Sequence, residues 1–215
     1  MNILLLPILI VMSSYSNSFH LKEGDILFQD LDSSPLCEAI ETVTPGFKNA
    51  SLSHIGMIVS HNNELKVIEA LPPEVVFTKI EDFLSRSLDC NNNPKVIVGR
   101  LKYKYSNIIP KAIKYAKNQV GTKYDDAFLM NNDLYYCSEL IHDSFREDSI
   151  FQLRPMTFVN PKTNKTLEIW EKYYSDLGID IPQNEPGINP GQISLSNKLD
   201  IIHFYGVPDG MKTQN

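Results

Sequence analysis

Two β-rich apolar runs, His54 to Ser60 and Leu65 to Ala70, flank the tetrapeptide His61-Asn62-Asn63-Glu64. Asparagine tolerates the left-handed conformation that a tight turn needs, so this stretch predicts an antiparallel hairpin with Asn62 and Asn63 at its tip. Counting back from the turn, position 61 faces 64, position 59 faces 66 and Gly56 faces Glu69. Side chains alternate along a strand, which puts His54, Gly56, Ile58 and Ser60 on the same face as Leu65, Val67 and Glu69. His54 is then the diagonal neighbour of Glu69, about 7–8 Å away at the backbone and within reach of two long side chains. Gly56 leaves the space between them open. A one-residue slip in register would destroy the pairing.

Around this hairpin the chain reads as a mixture of short strands and helices. Gly24-Asp25-Ile26-Leu27-Phe28 is a turn entering a strand, and residues 31–50 hold a short helix and a loop. Val75 to Thr78 and Lys95 to Leu101 are further strands, with a short helical stretch from Glu81 to Ser87 and a polar break from Asp89 to Pro94. A helix opens at Ser106, tolerates Pro110 in its first turn and ends near Gly121, with Ile109, Ile113, Ala116 and Val120 at helical spacing. A second runs from about Tyr136 to Arg146, with Leu140, Ile141 and Phe145 as its apolar side. After Phe151 the chain is punctuated by Pro and Gly, with one helix between Thr166 and Leu177 and a strand near Leu199 to Tyr205. The class is α+β, an antiparallel sheet packed on helices. Residues 20–215 form one domain whose Pro/Gly-rich C-terminal part wraps as a lobe.

The 215 residues carry a net charge of −6 and no basic run, which argues against a nucleic-acid surface or a basic membrane anchor. Residues 1–19 contain an apolar stretch, Ile3 to Met12, followed by small and polar residues. It is too short to span a bilayer and suits a secretory signal cleaved between Ser16 and Phe19. That reading predicts export to the periplasm or cell envelope and no stable membrane span in the mature chain. No Cys follows closely enough for a lipid-modified N-terminus. Three cysteines leave at least one thiol free. Cys37 and Cys90 are expected as small buried hydrophobes, although an oxidising compartment would allow them to pair.

Cys137 lies where a loop becomes a helix, in Tyr135-Tyr136-Cys137-Ser138-Glu139-Leu140. A helix start presents free N–H groups and the positive end of its dipole, which favour the thiolate and can cradle an oxyanion. The polar Ser138 and Glu139 suit a first turn open to solvent or substrate. With His54 to take the thiol proton and Glu69 to hold the imidazole, Cys137 would complete a nucleophilic triad. The same residues also fit a blander arrangement: a core cysteine, a strand-end histidine and a solvated glutamate. His61 and His142 lack metal-ligand spacing, so no metal is expected. Asp125-Asp126 reads as a turn rather than a paired-carboxylate site. There is no glycine-rich phosphate loop, and no cofactor is expected.

Taken together, Gly24-Asp25-Ile26, Ser53-His54-Ile55-Gly56, Glu69, Gly121-Thr122-Lys123-Tyr124-Asp125 and Tyr136-Cys137-Ser138-Glu139-Leu140 resemble the NlpC-like, papain-like cysteine hydrolases. More narrowly they resemble the circularly permuted YiiX/YebB branch, in which the His and carboxylate strands precede the Cys helix, as they do here. Arg154-Pro155-Met156-Thr157-Phe158 and the stretch Pro186 to Gly191 are also similar to that branch. The resemblance implies a papain-like fold with Cys137 as nucleophile, His54 as base and Glu69 as orienting carboxylate. Tyr124 is similar to a tyrosine lining the site. Tyr136 and Ser138 are grouped with it as substrate-binding, and Asp25 and Glu139 as supporting residues. Hydrolysis of an amide or ester through an acyl-enzyme follows from it. The substrate is either a peptide, such as a murein stem peptide, or an acyl, lipid-like molecule that is hydrolysed, transferred or, in a non-catalytic protein of the same fold, only bound. In the second case Phe151, Leu153, Met156, Phe158 and Trp170 would line an acyl pocket. Base rates of burial favour core packing for those five.

Overall fold

The computed structural model describes residues 19–212. The apolar stretch read as a secretory signal therefore lies outside the described residues, apart from Phe19 at its end. Among those described, no helix is long and apolar enough to cross a membrane.

In chain order the elements are β1 (Ile26–Gln29), α1 (Pro35–Val43), β2 (His54–His61), β3 (Glu64–Leu71), β4 (Glu74–Lys79), α2 (Ile80–Leu84), β5 (Val96–Leu101), α3 (Ile109–Asn118), α4 (Cys137–Ser144), β6 (Arg154–Pro155), α5 (Glu168–Leu177), β7 (Pro186–Gly187), α6 (Pro190–Ser194) and β8 (Leu199–Phe204). Six strands form one antiparallel sheet in the order β4-β3-β2-β1-β5-β8, and β6 pairs with β7 in a separate two-stranded ribbon. The β2–β3 hairpin turns at Asn62 and Asn63, both at positive φ, and pairs Met57 with Ile68, Val59 with Lys66 and His61 with Glu64. That is the register read from the turn. The ladder stops at Met57–Ile68, whereas β2 keeps pairing with β1 as far as His54–Gln29. The two strands thus part at the end of the sheet where His54 sits.

Both faces of the sheet are covered. Ile26, Phe28, Ile55, Met57 and Ile68 pack with Ala112, Ile113 and Ala116 of α3 and Leu140 and Ile141 of α4. The opposite face packs Leu27, Ile58, Val67 and Val98 against Phe83 of α2. Strand β1 is consequently buried along its whole length. A third cluster joins Ala39 of α1 to Phe158, Trp170 and Tyr174, so the C-terminal segment closes over α1 through α5. Two boundaries differ from the sequence reading. Residues 103–108 form a 3-10 segment, so α3 begins at Ile109 rather than Ser106. The short helix α6 escaped the pattern because it has five residues amid Pro and Gly. Its signature is local: Asn189 caps it by accepting from Gln192 N at 2.8 Å, and Pro190 occupies its first turn.

Gly56 is required by space. A Cβ there would collide with Val67 Cγ1 and lie 3.2 Å from the Ile68 carbonyl oxygen and 3.4 Å from Glu69 Cβ. Gly56→Ala is therefore expected to cost about 1–3 kcal/mol through overpacking, read as a lower midpoint in urea denaturation. An unchanged midpoint would show that the hairpin relaxes around the methyl group.

Candidate active site

Glu69 is wholly buried on β3, and burial alone would drive its carboxyl neutral. It stays charged because two partners converge on it. Arg86, in the turn after α2, donates from Nη1 to Oε2 at 2.7 Å and from Nη2 to Oε1 at 2.6 Å. His54 Nε2 contacts Oε2 at 2.5 Å. Against the opposing effect of burial, these bonds hold Glu69 at about 2. His54 is shaped by the same contest. Burial disfavours its charged ring, but hydrogen bonds to Cys137 and Glu69 outweigh burial and lift it to about 9. With Nε2 committed to Glu69, Nδ1 is the ring nitrogen left for the thiol. The ring packs on Phe83, with centroids 5.8 Å apart.

Cys137 is the first residue of α4, after an extended Tyr136 that makes no side-chain cap. The first-turn N–H groups of a helix have no intrahelical acceptor, so they remain free to meet a ligand. Of the two expectations for the first turn, open to solvent or to substrate, the first does not hold: every residue of α4 is buried. The segment carrying β7 and α6 covers the helix, with Ser138 Oγ donating to the Ile188 carbonyl at 3.0 Å and Ile188 N donating to Tyr136 Oη at 3.3 Å. The terminus instead opens into a cavity of about 600 Å³ that His54, Cys137 and Arg86 all line.

A cysteine at a buried helix start and a histidine bonded to a buried carboxylate thus line one cavity. The match to a family model agrees: residues 20–203 fit the permuted papain-like amidase enzymes of the YaeF/YiiX, C92 family. The chain belongs to that family. It is 25% identical over 200 residues to the uncharacterized protein YiiX of Escherichia coli K12, covering 93% of this chain and 94% of YiiX. The crystal structure of YiiX from Escherichia coli O157:H7, described as a metalloprotein, superposes with a TM-score of 0.71 at 23% identity. That alignment covers 87% of this chain and 98% of YiiX, and it shows a shared fold.

Within this family fold the other expected residues occupy distinct places. Tyr124 and Tyr136 line the cavity beside Cys137. Ser138 lines it too, with its hydroxyl committed to Ile188. Glu139 is buried, and burial raises its carboxyl to about 8, so it is protonated at neutral pH. It accepts from Asn131 N at 3.3 Å and braces the loop before α4. Asp25 precedes β1, at the end of that strand remote from His54, where it binds Arg100 through both oxygens at 2.6 and 2.7 Å. Asp125 caps its own turn by accepting from Ala127 N and Leu129 N.

The expectation of buried cysteines fails at Cys90, which is exposed in the polar turn after Asp89, and at Cys37, which is half-buried on the cavity wall. Met156, Phe158 and Trp170 line the cavity as well as packing in the third cluster, while Phe151 remains in the main core. His61 stacks on Phe77 and His142 pairs with Asp143. Among the described residues, Asp30, Asp32 and Asp209 have metal-ligand spacing. Lys95 Nζ already lies 3.1, 2.7 and 3.1 Å from them and supplies the countercharge, so the grouping does not fit a metal ion.

Arg86 had no signal in the sequence. It lies 17 residues from Glu69, on a turn whose path no periodicity reveals. Arg86→Met leaves a buried carboxylate with His54 alone and is expected to cost up to about 3 kcal/mol, measured by urea denaturation. Arg86→Lys keeps the charge but loses the two-pronged contact and should fall between. Equal stability of all three proteins would contradict this role.

Proposed function

We propose that this chain is a thiol amidase that turns over through an acyl-enzyme on Cys137. The observation that carries the reading is that Cys137 and His54 line one cavity, with His54 bonded to the buried Glu69. The Cys137 thiolate attacks the amide carbonyl carbon, and the free N–H groups of the first turn of α4 receive the oxyanion. The His54 imidazolium gives its proton to the departing amine, leaving a thioester. The now neutral His54 takes a proton from water, which attacks the thioester carbonyl. Collapse expels the Cys137 thiolate, frees the carboxylic acid and leaves that proton on His54, which restores the starting ion pair. Glu69 keeps the ring oriented and stabilises its charged form throughout.

The lining favours an apolar acyl group. Leu31, Leu36, Ile40, Val43, Leu71 and Met156 contribute hydrocarbon surface close to Cys137. A murein stem peptide brings several amides and carboxylates, which this lining would desolvate without partners. The acyl, lipid-like substrate is therefore the reading we adopt over the cell-wall peptide.

The test is intact mass spectrometry during turnover of an N-octanoyl amide. An octanoyl adduct should appear and map to Cys137, and Cys137→Ala should lose at least about a thousandfold in rate. Turnover retained by Cys137→Ala, or an adduct on Cys37 or Cys90 instead, would overturn the proposal.

A further inference from the structure

The two sides of the cavity differ in chemistry. The α1 side is aliphatic, with Leu36, Ile40 and Val43. The aromatic side, built by the loop after Tyr124 and by α5, which packs against α1, presents Tyr124, Phe128, Trp170 and Tyr173 together with Asp126. Phe128 is the hub of this side. Its ring stacks on Tyr173 at 6.0 Å and meets the edges of Trp170, Tyr136 and Tyr124 at 6.2, 5.6 and 6.4 Å. It is held at φ +56, a left-handed conformation that a bulky residue adopts only when its surroundings enforce it. The enforcement is visible. Asp125 accepts from Ala127 N and Leu129 N, Tyr173 Oη donates to the Asp126 carbonyl at 2.8 Å, and Tyr174 Oη donates to the Ala127 carbonyl at 3.3 Å.

Asp126 has no hydrogen bond or ion pair to its carboxylate among the described residues, and no Lys or Arg among them pairs with Asp125. The cationic side chains lining the cavity, His54 and Arg86, are already engaged with Glu69. The surplus negative charge registers on its neighbours. Burial, reinforced by Asp126 and Asp125, pushes Tyr173 up to about 12. Burial also raises Tyr124 well above its ordinary value, with the charges of Cys137, Tyr173, Asp126 and Asp125 adding to the effect. Tyr124 and Asp126 line the same cavity as Cys137. Aromatic faces carry a negative quadrupole, so an aromatic lining beside a carboxylate attracts a cation. Asp126 is exposed to solvent, so its pull on a cation is that of a carboxylate that salt can screen.

We propose that this aromatic side, with Asp126, binds an organic ammonium group on the amine half of the substrate, while the acyl half lies along α1. The inference rests on the amidase reading of Cys137 and names the class of amide it takes: an N-acyl derivative of a diamine or other amine that keeps a positive charge.

The experiment compares N-octanoyl-ethylenediamine, which is cationic, with its neutral counterpart N-octanoyl-propylamine. The wild-type kcat/KM should favour the cationic amide by about tenfold or more, the size of a charge-assisted contact. The preference should weaken as salt screens the carboxylate. Asp126→Asn should bring the ratio between the two amides close to one, and Asp126→Lys should invert it. A wild-type ratio near one, or a ratio unchanged in Asp126→Asn, overturns the inference while leaving the amidase reading intact. If neither amide is turned over, the amidase reading fails, and calorimetric binding of the same pair to Cys137→Ala still decides the site. Tighter binding of the cationic amide, abolished when Asp126→Asn is added, supports it; equal affinities overturn it.

Discussion

A carboxylate with no access to water organises this site. An isolated buried charge is costly, so Glu69 can be ionised only if the fold brings it cationic partners with good geometry. The fold brings two. Arg86 grips both oxygens from the turn after α2, and His54 reaches one of them from the splayed end of β2. Three segments are thereby tied to one point, and the imidazole is left with a single free nitrogen. Helix α4 then has only to deliver its first residue to that nitrogen. Its complete burial under the β7–α6 segment, through Ser138 and Ile188, keeps that delivery in place.

What was legible in the sequence was what depends on short-range geometry. The Asn62-Asn63 turn sets the register of β2 and β3, and the two-residue period of a strand then places His54 and Glu69 on one face. The helix start at Cys137 was equally local. Features created by distant segments meeting were not legible. Arg86 finds Glu69 through the path of β4 and α2, which no local pattern encodes. The cavity arises because Ala39 of α1 packs with Trp170 and Tyr174 of α5, more than a hundred residues later. For the same reason the Met156, Phe158 and Trp170 side chains serve as core and cavity wall at once. The polar start of α4 suggested solvent, but the ribbon segment that covers it gives no such signal.

The order of the pieces follows from the same geometry. In this chain the His and Glu strands come first and the Cys helix comes after them, as in the permuted papain-like amidase family to which the chain belongs. His54 and Glu69 lie on neighbouring strands in the sheet order β3-β2-β1, and α4, which opens with Cys137, packs against β2 and β3. The C-terminal third then adds Met156, Phe158, Trp170 and Tyr173 to a cavity wall that α1 and the loop after Tyr124 also build.

The central claim is that His54 is charged at neutral pH because Cys137 and Glu69 outweigh its burial. Nuclear magnetic resonance of the ring nitrogens, followed against pH in the wild type and in Cys137→Ala, tests it directly. The account predicts that His54 titrates near about 9 in the wild type and at lower pH once the thiol is removed, because one of the bonds that raises it is gone. A His54 that titrates near its ordinary value of 6.5 in both proteins would contradict the account.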